Sequence, residues 1–439
     1  MNRLQIKIVL MVLAAVSCNA AGRTIVVSQD VPADFGTIAE AVADAVNGDT
    51  IEIDGGTYYE TIDLGGLAVT VRLFDEADPV IIDGSGTSQC IVCDSGETSD
   101  SQFIGLTIQN GNASHGGGIY IDDSLPTMVE CKITGCTATH GGGIYVTGSV
   151  ASPHFEDCHI ESCVADQRGG GVMTWLAGSL TMTGCTVTLN EAGNSGGGMS
   201  LESTDTITLT ACEVSYNTNG GINAPSNTAL ILDQCQLLYN DASGAGGGMR
   251  LKGTSAWLID STITGNYGGS RGAGIYVNVS GADLTLSMQG CVIQDNETGG
   301  YGTYGAGLCL WADTTWSITA TIDSCSFNGN GFGGGGYGAA LAAHELVDTT
   351  ITNSDFCDHD WDNEVDGDWT DGGGNTITNA WCLPGDIDED GAVGAMDLLL
   401  LVESWTDAVD EDDRWDINRD AIIDVTDLLE MLGEWGSES

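Results

Sequence analysis

Basic residues are scarce in this chain: 11 lysines and arginines stand against 63 aspartates and glutamates, a net charge of −52. A surface that negative repels nucleic acid, anionic lipid and other polyanions unless a cation bridges the contact. No nucleic-acid partner is therefore expected. Long apolar runs are also lacking, and beyond the first twenty residues none could cross a membrane as a helix. The glycine clusters lack a strand–GxGxxG–helix setting and are not phosphate loops. The cysteines lack paired CxxC spacing with histidine at ligand distance, which argues against a zinc site.

What the chain does have is a repeat. Pairs of positions five apart recur as Cys131 and Cys136, Cys158 and Cys163, Cys185 and Asn190, Cys212 and Asn217, Cys235 and Asn240, Ser261 and Asn266, Cys291 and Asn296, and Cys325 and Asn330, preceded by Gly105 and Asn110. The second members lie 26, 27, 27, 27, 23, 26, 30 and 34 residues apart. A period of this size marks one unit stacked on itself rather than a row of globular domains. Apolar residues sit two after each first member (Ile133, Ile160, Val187, Val214), and period-two strands follow the glycine clusters (Ile144 and Val146, Met249 and Leu251). Three short strands per repeat with glycine bends between them predict an all-β fold, a parallel β-helix solenoid with coils about 4.8 Å apart. Stacking would place Asn110, Asn190, Asn217, Asn240, Asn266, Asn296 and Asn330 in an amide ladder, each satisfying its neighbour. The cysteines of the first column read as small buried apolar residues. Cys90 with Cys93, and Cys357 with Cys382, fall outside the ladder and are the candidate disulfides.

Residues 1–20 read as an export signal: Arg3 and Lys7 precede an apolar run over 8–16, and Cys18-Asn-Ala20 offers a cleavage site. Ala15-Val-Ser17-Cys18 is similar to a lipobox, which would leave a lipid anchor on Cys18. The expected location is secreted or cell-surface. An amphipathic helix over 38–46, then a strand from 48, would plug the open end of a β-helix spanning 21–380.

After Pro384-Gly385 two acidic loops appear. Asp386, Asp388, Asp390 and Asp397 occupy positions 1, 3, 5 and 12 of the first, with the Ala392 carbonyl at position 7. Asp416, Asn418, Asp420, Asp427 and the Ile422 carbonyl repeat the pattern 30 residues on. Alternating oxygens of this kind wrap calcium. Each loop precedes a helical pattern, over 398–405 and 428–435. Loop-then-helix in duplicate resembles a type I dockerin over 384–436. That resemblance implies a small all-α domain, two calcium ions and a cohesin-like partner. Its usual Ser-Thr pair at positions 10 and 11 is replaced by Ala395-Met396 and Val425-Thr426, which puts the partner's identity in question.

The segments Phe35-Gly-Thr-Ile38-Ala-Glu-Ala-Val42 and Gly48-Asp-Thr-Ile51 are similar to the start of pectin methylesterases, and residues 110–120 look closer to polymorphic outer-membrane protein repeats. Together they resemble the pectin-lyase-like superfamily of right-handed β-helices, in which some members are catalytic and others adhesive. None of that superfamily's catalytic signatures is intact here. Outward positions on one sheet should carry Tyr120, Tyr145, Trp175, Tyr276 and Trp311, whose rings could stack on sugars. Arg250 and Lys252 are the candidate bases of an enzyme reading, with Glu202 as partner. His115, His140 and Arg168 share an offset before their glycines and should also stack. Three functions compete: a secreted polysaccharide binder tethered through its dockerin, a polysaccharide lyase or glycoside hydrolase, and a structural surface protein or adhesin.

Overall fold

A computed structural model describes residues 22–377, apart from 30–32, 226–228, 280, 300–302, 313–314, 333–335, 345 and 358–364, together with five leucines beyond them. The chain winds as a parallel β-helix. One coil shows the plan: Thr127–Val129 lies in sheet 1, Lys132–Thr134 in sheet 2, Thr137–His140 forms a short elbow, and Ile144–Thr147 lies in sheet 3. Every neighbour in the three sheets is parallel, and they hold 14, 13 and 12 described strands respectively.

Register carries the apolar pattern from coil to coil. Ile108, Ile133, Ile160, Val187, Val214, Leu237, Ile263, Ile293, Phe327 and Phe356 pair in sequence up sheet 2. All of them are buried, and each such side chain contributes about 1.5–3 kcal/mol of hydrophobic stabilisation. The rings of Phe327 and Phe356 stack at 4.7 Å. Two bends frame sheet 2, and each has a left-handed residue just before the Cys or Asn column. Asp157, Ala211 and Gln234 serve at the first bend, with φ of 50°, 51° and 55°. Ser162, Leu189 and Tyr216 serve at the second, with φ of 54°, 57° and 53°.

Asn110 belongs to that left-handed set, with φ 54°. Gln109 pairs with Thr134, so Asn110 precedes the ladder column by one residue. It is exposed and donates to Asp83, which removes it from the expected ladder. The ladder itself runs from Asn190 to Asn330. The Nδ2 of Asn190 donates to Oδ1 of Asn217 at 3.2 Å, and the same bond recurs from Asn217 to Asn240, Asn240 to Asn266, Asn266 to Asn296 and Asn296 to Asn330 at 2.9, 3.0, 2.9 and 2.9 Å. Beside it the first-column cysteines donate to main-chain carbonyls, as Cys212 does to Met182 at 3.5 Å. The expected Cys90–Cys93 bridge does not form. Both are free and buried, as are ten other described cysteines, while Cys357 is disulfide-bonded.

The N-terminal end is closed by the helix Ile38–Asp44. Thr37 caps it, accepting from Glu40 N at 3.2 Å, and Glu60 accepts from the amides of Ile38 and Ala39. Ile38 and Ala41 turn inward onto the core.

The expected dockerin is corrected. Calcium loops need packed helices to hold them, but Ile38–Asp44 is the only helix of seven or more residues among the described residues. Beyond Ile377 only Leu398, Leu401, Leu428, Leu429 and Leu432 are described, each of them helical. No group of three or more His, Cys, Asp or Glu among the described residues could hold a metal. The ligand set of loops 386–397 and 416–427 lies outside the described residues. Oxygen spacing supplies donor types but not the scaffold that fixes them, so the all-α domain, its calcium and its cohesin-like partner leave the reading. The signal segment and Cys18 also lie outside the described residues. No described helix is long and apolar enough to cross a membrane.

Candidate functional site: an aromatic cleft on sheet 3

Alternation along sheet 3 buries one side chain and turns the next outward. Two outward columns result. One runs Val92, Tyr120, Tyr145, Met173, Ser200, Asn223, Arg250, Tyr276 and Cys309. The other runs Asp122, Thr147, Trp175 and Glu202, then resumes at Pro225 with Lys252, Asn278 and Trp311. The elbow beside them stacks His115, His140 and Arg168.

Where these columns meet at their N-terminal end, they enclose an open cleft of about 540 Å³ walled by His115, Tyr120, Asp122, Tyr145, Trp175 and Leu176. The rings of Tyr120 and Tyr145 lie parallel, 6.0 Å apart at 2°. His115 meets Tyr145 edge-on at 4.7 Å and stacks on His140 at 5.5 Å. Trp175 is 38% exposed and Leu176 52%, so the cleft keeps apolar surface open to solvent. Burial, reinforced by Tyr120, pushes the Tyr145 hydroxyl up to about 12. Tyr120 is raised by burial and then by Asp122, to which its hydroxyl donates at 3.4 Å. Burial raises Glu202 against a smaller opposing pull from Arg168. His140 is lowered by burial, then by His115 and Arg168.

The structure thus joins Tyr120, Tyr145 and Trp175 in one place but puts Tyr276 and Trp311 in another. There the Arg271 guanidinium lies 4.0 Å from the centre of the Trp311 ring and 5.7 Å from Tyr304, with His344 packed 4.7 Å from Trp311. Tyr276 is buried beneath this group. Glu202, Arg250 and Lys252 do not converge. The Pro225 strand separates Glu202 from Lys252, and none of the three forms an ion pair among the described residues.

Sequence reasoning missed two groups. Asp94 follows Cys93, which pairs with Ile121, so it stands one coil before Asp122 beside Tyr120. Arg271 precedes Gly272 as Arg168 precedes Gly169, an offset that could have added it to the elbow column.

Residues 89–245 and 188–380 match the family model described as the right-handed β-helix region. The chain belongs to the right-handed β-helix family. The family match covers the coils that carry both outward columns and ends before the acidic tail. No curated protein matches the chain. Among solved structures it is similar to the tailspike protein gp49 from Acinetobacter baumannii bacteriophage Fri1, a capsular polysaccharide depolymerase. Identity is 12% and the TM-score 0.39, over 83% of this chain and 64% of the tailspike chain. The chain therefore spans less than two thirds of that protein's length, and a likeness at this level carries nothing about activity.

Proposed function

We propose that this β-helix binds a polysaccharide along sheet 3, with the Tyr120–Tyr145–Trp175 cleft as the principal contact. The observation that carries the reading is the cleft itself. A partly exposed tryptophan and a stacked tyrosine pair line an open channel, with Asp122 at its edge. Sugar rings offer apolar C–H faces to such aromatics and hydroxyls to the carboxylate. Tyr145 is largely covered and acts as the support that fixes the Tyr120 ring. The signal-like first twenty residues would deliver this face outside the cell, where such polymers occur.

A second reading, cleavage of the same polymer, is favoured by the placement of Asp94 and Asp122. Successive strands stand about 4.8 Å apart. Carboxyl groups of retaining glycosidases stand about 5–5.5 Å apart. In this reading one carboxyl protonates the leaving oxygen while the other attacks the anomeric carbon.

Retention of the full chain on a panel of immobilised neutral and acidic polysaccharides tests binding, with new reducing ends followed in parallel. Retention on one polymer that is lost with Trp175→Ala supports the first reading. Release of reducing ends that stops with Asp94→Asn or Asp122→Asn supports the second. Retention unaffected by changes at Trp175 and Tyr120 would remove the cleft from both.

A further inference from the structure

Arg250 was a candidate base, yet a guanidinium stays protonated at any pH a protein tolerates. Its surroundings suit a different role. Beside the elbow, three strands beyond Trp175, a recess of about 100 Å³ opens between sheet 3 and the glycine bends. Its polar lining is Asn194, Ser195, Asn219, Asn223, Ser243 and Arg250, with glycine main chain between them. No carboxylate lines it, although acids outnumber bases 63 to 11 in the whole chain. The Nε of Arg250 is buried without a hydrogen-bond partner. Asn223 pairs with Arg250 in the outward column and sets an amide beside it. Arg23, Arg72 and Lys132 all hold carboxylates, whereas Arg250 holds none among the described residues. A buried N–H donor left open costs more than it returns unless something accepts from it. A guanidinium presents its donors in a fork that matches a planar or tetrahedral oxyanion.

We propose that this recess is an oxyanion site, in which Arg250 and the Asn223 amide hold a carboxylate or sulfate group. The recess has room for such a group. The anion is either free in solution or a substituent projecting from a larger ligand. The site is argued from the recess alone and stands or falls separately from the aromatic cleft.

The experiment follows the Nε–H resonance of Arg250 in the full chain by NMR. Sodium sulfate and sodium acetate are titrated at constant ionic strength against sodium chloride. An oligosaccharide bearing carboxylates and its neutral methyl ester form a second pair of ligands. A saturable shift with sulfate or acetate is expected. Followed at the Asn223 amide, binding should weaken at least tenfold in Arg250→Lys and vanish in Arg250→Met, with Lys132→Met unchanged. Tighter binding of the carboxylated oligosaccharide than of free acetate assigns the anion to a glycan, and equal binding assigns it to the free ion. Absence of saturation with every anion, or an undiminished affinity in Arg250→Lys read at the Asn223 amide, would overturn the site.

Discussion

Replacing Asn240 by alanine should open the middle of the solenoid. The Oδ1 of Asn240 accepts from the main-chain and side-chain amides of Asn217 at 3.1 and 2.9 Å. Its Nδ2 donates to Val214 O at 2.8 Å and Asn266 Oδ1 at 3.0 Å. After truncation the Asn217 main-chain N–H and the Val214 carbonyl lose their side-chain partner in a fully buried setting, while Asn217 Nδ2 keeps its bond to Val187 O. Two buried groups orphaned at about 1–3 kcal/mol each give a loss of about 4 kcal/mol. A solenoid opens locally as well as globally, so native-state hydrogen exchange at the Asn217 amide is the direct assay. Since each 1.4 kcal/mol is a factor of ten, protection should fall about a thousandfold, with guanidinium unfolding as the global check. Asn240→Leu fills the space without restoring the bonds and should be no better than alanine. A loss below about 1 kcal/mol, or rescue by leucine, would refute the hydrogen-bond account and leave only packing.

Trp175→Ala should weaken glycan retention about fivefold, the loss of roughly 1 kcal/mol of stacking, read by affinity electrophoresis. Tyr145 and Tyr58, both pushed up to about 12 by burial, should ionise last in a spectrophotometric titration. Above pH 10 the unfolded chain releases those protons while the folded chain keeps them, so stability should fall between pH 10 and 12. His140 has the opposite sense. With its folded value lowered, stability present above the ordinary histidine range is lost as pH falls through it. Arg168→Ala should raise the His140 value in an NMR titration. Gly247→Ala would place a methyl 2.3 Å from Tyr267 O and 2.7 Å from Ala273 O, so the coils must part. A clear drop in melting temperature is expected, where alanine at Gly244, with open space around it, should change little.

Much of the solenoid was legible because its period is written in chemistry that only stacking explains. Cys and Asn recur at one spacing, and apolar residues recur two places later. The boundary of the ladder was less legible. Asn110 has the ladder's residue type, but only main-chain register shows it to be the bend residue. The aromatic cleft was half legible. Alternation placed Tyr120, Tyr145 and Trp175 outward, but which rings share a cleft depends on the elbow histidines and on how far each coil turns. Asp94 carried no signal of its own, because its strand of three residues, Ile91–Cys93, is too short to show a period. In the tail, donor spacing, a helical pattern after each loop and duplication together read as a domain, and none of these supplies the packing that makes one.

The asparagine ladder also has a direction. From Asn217 to Asn330 each oxygen accepts from the asparagine of the coil before. From Asn190 to Asn296 each NH₂ gives one N–H to the asparagine of the coil after and the other to a carbonyl of the coil before. Six amide dipoles therefore point the same way over about 24 Å, five strand spacings. Aligned hydrogen bonds polarise one another, so a rung inverted by rotating its amide would oppose both neighbours at once. The column thus behaves as one unit that is ordered throughout or broken, and it gives an otherwise nearest-neighbour solenoid a means of coupling coils that never touch.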